Sequence, residues 1–354
     1  MSAGTRAPLP TLGLAPLDTP ANAFCQAFSD ALSGEFDCRH VPIAELEDWR
    51  AIARRAGKRL GGRAGDVVIM HWPTFFFRPS SRRDTLARLG RMAQARARGT
   101  RFVWVVHNLQ PHDGGAMGSR LTAALFVSQL AGIVHLSEHS RGALRGAHRV
   151  MPWTQEVVTV HGAYPGPPPA PRPAALDPAA NEPRLLVFGH VRPYKNIPHL
   201  LRVAREAALR VTVAGRVWDG AEARRVRDAA AGAPHVRLDL RDEALPDGEL
   251  DALIADHHGV VLPYGASESV LNSGAAIHAL SRARPVLVPR LGALPELAAA
   301  VPGWVQSFDP PLRADDLLAF ARFAAERPAD AKPDLSAYGW DRVSRDLTGF
   351  LRGL

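Results

Sequence analysis

The 354-residue chain has only two cysteines, Cys25 and Cys38, four tyrosines and three lysines (Lys58, Lys195 and Lys332). Two cysteines make no disulfide framework, and their spacing is not that of metal ligands; the pattern fits a reducing compartment. No stretch reaches the roughly 18 apolar residues of a membrane-spanning helix. The nearest, 121–136, is broken by Ser128, Gln129, Gly132 and His135 and reads as a buried helix followed by a strand. The N-terminus lacks a basic segment leading into an apolar core, so no secretory signal is expected. No internal repeat is visible. No Asp-x-Asp pair stands beside a strand end, so no metal requirement and no cofactor are expected.

What is abundant is arginine. The net charge is +8 and the pI about 10.2, and only three of the 43 basic residues are lysine. Such a surface favours anionic partners, including anionic lipid headgroups. No nucleic-acid-binding module and no interleaving of aromatic with basic residues accompanies the charge, so nucleic acid is not expected. Hydrophobic content of 46% and charged content of 22% are globular values, and the length suits two domains.

The clearest boundary is 164–183, where eight prolines exclude a packed helix or a central strand. The expected divisions are a first domain at 1–165, a linker at 166–183, a second domain at 184–339 and a final amphipathic helix from Trp340. Before the linker, strands are expected at Phe36–His40, Asp66–His71, Arg101–His107, Gly132–Leu136 and Glu156–His161. Helices are expected at Asn22–Leu32, Ile43–Ala56, Arg82–Arg98 and Ser119–Gln129. After it, strands are expected at Arg184–Gly189, Arg210–Gly215, Val236–Leu240, Gly259–Pro263 and Pro285–Pro289. Alternation of this kind implies α/β units with a parallel sheet in each domain.

Ligands of such sheets bind beyond the carboxyl ends of the strands. The stretch Val187–Pro198 (V-F-G-H-V-R-P-Y-K-N-I-P) is the most informative of these ends. An apolar strand stops at Gly189, a polar loop carries Arg192 and Lys195, Asn196 can cap a helix, and Pro198 suits its first turn. Two cations leading to a helix N-terminus can hold a diphosphate; a basic surface turn is the alternative. A second loop, Tyr264–Gly274, follows another buried strand. Asn272, Ser273 and Gly274 open a small-residue helix whose amides can face an anion. Two phosphate-compatible loops in one half favour a nucleoside diphosphate ligand.

On these motifs the chain resembles the GT-B glycosyltransferases similar to family 4, a bacterial exopolysaccharide-type subgroup. Lys195 stands six residues after Gly189, as the family's lysine does, and Arg192 stands in for an arginine whose usual position is His190. The family's paired glutamates fall on Val270 and His278, so the chain departs from that pattern, and Glu268 is the nearest replacement for the first. The resemblance implies two Rossmann-like domains facing across a cleft. It also implies transfer of a hexose from a nucleoside diphosphate sugar to a hydroxyl of a glycan or lipid-linked glycan in polysaccharide biosynthesis. Gly189, Arg192, Lys195, Glu268, Asn272, Ser273, Gly274 and His278 would serve the donor. Two other readings are a non-catalytic scaffold subunit of the same fold and a nucleotide-sugar epimerase or hydrolase.

In the first domain four strands end at or near a histidine: His71, His107, Ser137-Glu138-His139, and His161. The loop His107–Asp113 (H-N-L-Q-P-H-D) is the expected catalytic edge. The resemblance gives His107 a contact near the reacting carbon. Asp113 is the nearest carboxylate for an inverting reaction, with a solvated loop acid as the alternative. His71, Ser137 and Glu138 are expected on the acceptor side, the last two alternatively as a plain helix cap with a dipole-favoured acid. Phe75–Phe77 with the arginine-rich helix 82–98, its apolar side formed by Leu86, Leu89 and Met92, is expected to meet an anionic membrane; for the helix, packing into the core with a solvated basic face is the alternative. The resulting location is cytoplasmic, at the inner face of the plasma membrane.

Overall fold

The computed structural model describes residues 11–15, 22–40, 67–73, 82–109, 120–166, 183–265 and 270–354. It divides into two compact units, Met1–Gly162 with Tyr338–Leu354, and Ala163–Ala337. The expected helix Ile43–Ala56, most of the proline-rich segment, Phe75–Phe77, Asp113 and Glu268 lie outside the described residues.

The first unit contains β1 (Thr11–Ala15), α1 (Ala23–Leu32), β2 (Asp37–His40), β3 (Val67–Met70), α2 (Arg82–Ala97) and β4 (Arg101–Val106). It continues with α3 (Arg120–Val127), β5 (Leu130–His135), α4 (Glu138–Ala147) and β6 (Gln155–Val158). Its described strands form one parallel sheet in the order β2-β1-β3-β4-β5-β6. The apolar runs V-V-I-M of β3 and F-V-W-V-V of β4 are buried throughout. That is what a parallel sheet covered on both faces requires. The chain reverses its direction of travel between β1 and β3, so the ligand-binding point of this sheet lies beyond those strand ends.

The second unit contains β7 (Arg184–Phe188), α5 (Ile197–Glu206), β8 (Arg210–Arg216), α6 (Gly220–Ala230), β9 (Val236–Arg241) and α7 (Asp247–Ala255). After these come β10 (Gly259–Val261), α8 (Gly274–Ser281), β11 (Val286–Pro289), α9 (Leu294–Ala300), β12 (Val305–Phe308) and α10 (Ala314–Ala325). Its strand order is β12-β11-β10-β7-β8-β9, all parallel, and the reversal falls between β7 and β10. The two loops singled out in the sequence leave these two neighbouring strands.

The last helix, α11 (Trp340–Gly353), packs on the first unit. Val343, Leu347 and Leu351 enter the core made by Leu12, Phe24, Phe28, Ile69 and Val105. Thr159 donates to Asp346 (2.9 Å) and Ser344 to the carbonyl of Ala31 (2.6 Å). A Cβ on Gly162 would overlap the Trp340 ring, so the glycine admits the helix closely.

Two strands have no counterpart among those expected. β1 (T-L-G-L-A) is interrupted by glycine, yet it sits inside its sheet with Leu12 and Leu14 buried. β12 (V-Q-S-F) is an edge strand and half exposed, so its apolar signal is weak. No helix among the described residues is long and apolar enough to cross a membrane.

Candidate active site

In the second unit β7 ends at Phe188 because Gly189 takes a left-handed conformation (φ 89°). A Cβ on Gly215 would overlap the carbonyl oxygen of Gly189, so β7 and β8 come together at this end only with glycine at position 215. The amide of Val191 donates to Arg216 O at 2.8 Å and extends the contact. Pro193–Lys195 then makes a 3-10 turn. Asn196 does not cap α5 as expected: it is left-handed (φ 52°), makes no side-chain cap bond, and serves as the joint between the 3-10 turn and the α-helix. Pro198 occupies the first turn.

The cations of this loop differ in kind. Lys195 is buried, and its Nζ donates to Phe188 O at 2.8 Å beneath Gly189. Burial, with Arg192 nearby, lowers its pKa to about 7. Arg192 is also buried, its guanidinium 4.6 Å from the ring centre of Trp218, and Arg216 lies 4.8 Å from the same ring. Trp218 is 46% exposed, with His190 at 5.6 Å. Cation–π contact of this kind holds a guanidinium in place without neutralising it. Sequence reasoning gave Arg216 and Trp218 no role. The available signal was an Arg-x-Trp immediately after a strand beside the diphosphate loop.

The second loop is tied to the first. Gly265 N donates to Tyr194 O (3.0 Å), and the rings of Tyr194 and Tyr264 meet edge to face at 5.5 Å. The Tyr264 hydroxyl lies 3.2 Å from Ser273 Oγ. Ser273 caps α8, accepting from Ala276 N at 3.3 Å. Gly274 is the first residue of that helix and Asn272 is half-buried before it. The Nε2 of His278, expected to serve the donor, is 2.8 Å from Asp251 Oδ1, and its ring stacks on Tyr164 at 4.5 Å. Arg282 also holds Asp251 and donates to the carbonyls of Tyr164 and Pro165. Burial keeps the His278 pKa below its ordinary value against the pull of Asp251, and the same two partners hold the Asp251 carboxyl low.

The first unit presents imidazole and indole rings instead. His71 Nδ1 and His107 Nε2 are 3.2 Å apart. Trp72 stacks on His107 (4.7 Å, 24°), and Phe24 meets it edge-on at 5.1 Å. His71 is 2% exposed, so it stands behind His107 and not on an acceptor-facing surface. Ser137 is a plain N-cap, accepting from Ser140 N at 3.0 Å. Glu138 is exposed in the first helical turn and pairs with Arg141. His135 at the end of β5 is wholly buried between Glu156 (2.9 Å) and Ser140 (3.3 Å), which marks it as structural. Leu89 and Met92 are in the core, contrary to the expected membrane-facing side of α2, whereas Leu86 is exposed. Among the described residues no group of three His, Cys, Asp or Glu side chains is arranged to hold a metal ion.

No family model matches the chain. Among solved structures it is similar to a sucrose-phosphate synthase from Thermosynechococcus elongatus, with a TM-score of 0.65, 14% identity and 98% of both chains covered. It is also similar to HepE from Anabaena, solved with UDP and glucose (TM-score 0.56, 13% identity, 98% of this chain and 95% of that one). Its sequence is 30% identical over 303 residues to a GDP-mannose:glycolipid 4-beta-D-mannosyltransferase of Xanthomonas campestris pv. campestris, covering 79% of this chain and 77% of that protein. The chain belongs to the GT-B glycosyltransferases. In this glycosyltransferase the usual glutamate positions are Val270, which is buried, and His278, which is bound to Asp251. The carbonyl of Val270 accepts from Ala293 N at 2.9 Å, and Gly292, left-handed at φ 56°, makes room for it.

Proposed function

We propose that this glycosyltransferase moves mannose from GDP-mannose to a hydroxyl of a lipid-linked glycan in exopolysaccharide assembly, without a divalent metal. The observation that carries the reading is the reversal of the second sheet at β7 and β10, which sets Arg192, Lys195 and the Ser273–Gly274 helix start beside one point. Fixed cations and helix amides neutralise a departing diphosphate as a metal would. Arg216 and Trp218 extend the same edge. The donor and acceptor follow the name of the Xanthomonas relative. That name records a β-linked product. GDP-mannose carries its sugar in the α configuration, so formation of a β-mannoside requires inversion. A base must then take the acceptor proton, and His107 is assigned that role.

A lipid-linked acceptor calls for work at a membrane surface, here the cytoplasmic face. Leu86 on α2, Leu121 and Leu125 on α3, and Trp153 are exposed apolar residues of the first unit, and α2 and α3 are packed together. Arg83 and Arg98 are exposed on α2 and just beyond it, and Arg96 lies 5.5 Å from the Trp153 ring. Apolar contact with surrounding arginine suits an anionic interface. The test is turnover with a panel of nucleoside diphosphate sugars and a polyprenyl-diphosphate oligosaccharide acceptor, with and without chelator. Transfer from GDP-mannose that survives chelation supports the reading. Turnover restored only by Mg²⁺ or Mn²⁺ removes the metal-independent part, and no turnover with any donor removes the whole.

A further inference from the structure

We propose that Trp218 is a positioning residue for donor binding: its ring holds the guanidinium of Arg216, beside that of Arg192, as a further cation for the donor diphosphate. The inference rests on the reading above that a nucleoside diphosphate is held at the ends of β7 and β10. It adds a residue to that site and names what orients it.

The backbone brings these side chains together. Beyond the ends of β7 and β8, Val191 and Val217 form one further parallel bridge. Val191 N donates to Arg216 O at 2.8 Å, and Val217 N donates to Arg241 O at 2.7 Å. Side chains alternate between the two faces of such a ladder. Val191 is wholly buried on one face. His190, Arg192, Arg216 and Trp218 share the other, where the Trp218 ring centre lies 4.6 Å from the Arg192 guanidinium, 4.8 Å from that of Arg216 and 5.6 Å from the His190 ring. An indole left 46% exposed contributes little to a core, and these contacts give it another purpose.

The next strand supplies the contrast. Arg216 in β8 stands in register with Arg241 in β9. Arg241 donates to Asp239 at 2.8 Å and to Glu249 at 2.9 Å, so two carboxylates balance its charge. Among the described residues no carboxylate is paired with Arg216, and its Nε is buried without a hydrogen-bond partner. The nearest acid along the chain, Asp219, is engaged as the cap of α6, accepting from Ala221 N at 2.8 Å. A guanidinium bound to two carboxylates has no net charge left for an incoming anion. One held against a ring face keeps its charge, because the ring attracts it without neutralising it. Of the two register-paired arginines, Arg216 is therefore the one that can meet a diphosphate, and Trp218 is what keeps it in place.

Isothermal calorimetry on the full chain with GDP, UDP and guanosine tests the assignment. Trp218→Leu should weaken GDP binding by about tenfold, the loss of a partly desolvated cation–π contact. Trp218→Phe, which keeps a ring face, should recover most of that loss. Trp218→Met takes the place of the leucine variant if that one does not fold. The double variant Arg216→Ala, Trp218→Leu should lose less than the two single losses combined, because both remove the same cation. Guanosine, which lacks the diphosphate, should bind the parent and Trp218→Leu alike. Parent-like GDP affinity in Trp218→Leu, equal affinities in the leucine and phenylalanine variants, or fully additive losses would each overturn the proposal. A loss for guanosine as large as that for GDP would make the ring a platform for the base and overturn it as well. If the parent binds UDP and not GDP, the GDP-mannose reading falls, and the same comparisons made with UDP still decide the role of Trp218. A parent that binds neither nucleotide overturns the proposal, whereas one that binds GDP in this pattern and transfers no mannose keeps it and loses only the transfer reading.

Discussion

The two units solve the same topological problem with opposite chemistry. Each sheet reverses direction once and exposes strand ends there. The second unit fills that edge with charge: Arg192 and Lys195 are buried, and Arg192 and Arg216 rest on Trp218. The first fills it with imidazole and indole rings, His71, His107 and Trp72, wedged by Phe24 and Phe28. A diphosphate needs positive charge held where water is scarce, which arginine carries permanently and Lys195 takes up when the anion binds. A proton-transfer group must be able to change its charge near neutral pH, which histidine does. Under the proposed function, the division of labour would follow from side-chain chemistry laid on the same backbone plan.

The strongest test of that contrast is His107→Ala. It should cut kcat by about 10²–10⁴-fold, the span for a positioned base, and leave GDP affinity as it was, because GDP is assigned to the other unit. Asp113→Asn is its companion: a comparable loss would move the base from His107 to Asp113. A large loss of GDP affinity in His107→Ala would erase the distinction between the units.

A loss of fold, confined to the first unit, should follow Leu347→Ala. This side chain is fully buried between α11 and the first sheet's core, and truncation should cost about 2–5 kcal/mol. Thermal melting followed by calorimetry should show one transition moved down. A shift of both transitions together would mean the two units unfold as one.

On the charged side, Arg192→Ala and Arg216→Ala should each weaken GDP binding by about 1–3 kcal/mol, the range for a hydrogen bond to a charged group. Isothermal calorimetry reads this directly. Unchanged affinity in both would take the diphosphate away from the ends of β7 and β8.

The smallest effect, and the sharpest in sign, is the pH dependence of donor binding. Lys195 has a pKa of about 7 in the free protein. A bound diphosphate favours the charged form and raises it. Below pH 7 the lysine is already protonated and binding takes up no proton. Above pH 7 binding must take one up, so affinity should fall by up to about tenfold per pH unit. GDP-mannose is the right probe because its diphosphate does not titrate there. Calorimetry at pH 8 in buffers of different ionisation enthalpy should show uptake approaching one proton, and Lys195→Met should abolish it.

Much of this was legible in the sequence, for identifiable reasons. Parallel strands buried on both faces are continuous apolar runs, so β3, β4, β7 and β10 announce themselves. Glycine before a cationic loop marks a strand end, and Gly189 ahead of Arg192 and Lys195 was readable as the end of β7. β1 was not, because Gly13 interrupts a five-residue run whose burial comes from its neighbours. For Leu89 and Met92 a membrane-facing side and the core were both open, and they belong to the core, since a helix's periodicity does not say what covers it.

The histidines show where the boundary lies. The sequence alone determined that strands end in histidines on one edge of an α/β unit, because hydrophobic periodicity and the break in it are local properties. It could not sort them. His135 is held by Glu156, His278 by Asp251 and Tyr164, and His71 by His107, partners that are distant along the chain. Strand order is set by the packing of whole units, and it alone decides which strand ends become neighbours. Only the tertiary structure could turn identical residues into a structural pin, a link in a charged network and a pair of facing rings, because an imidazole's role is fixed by what faces its two nitrogens.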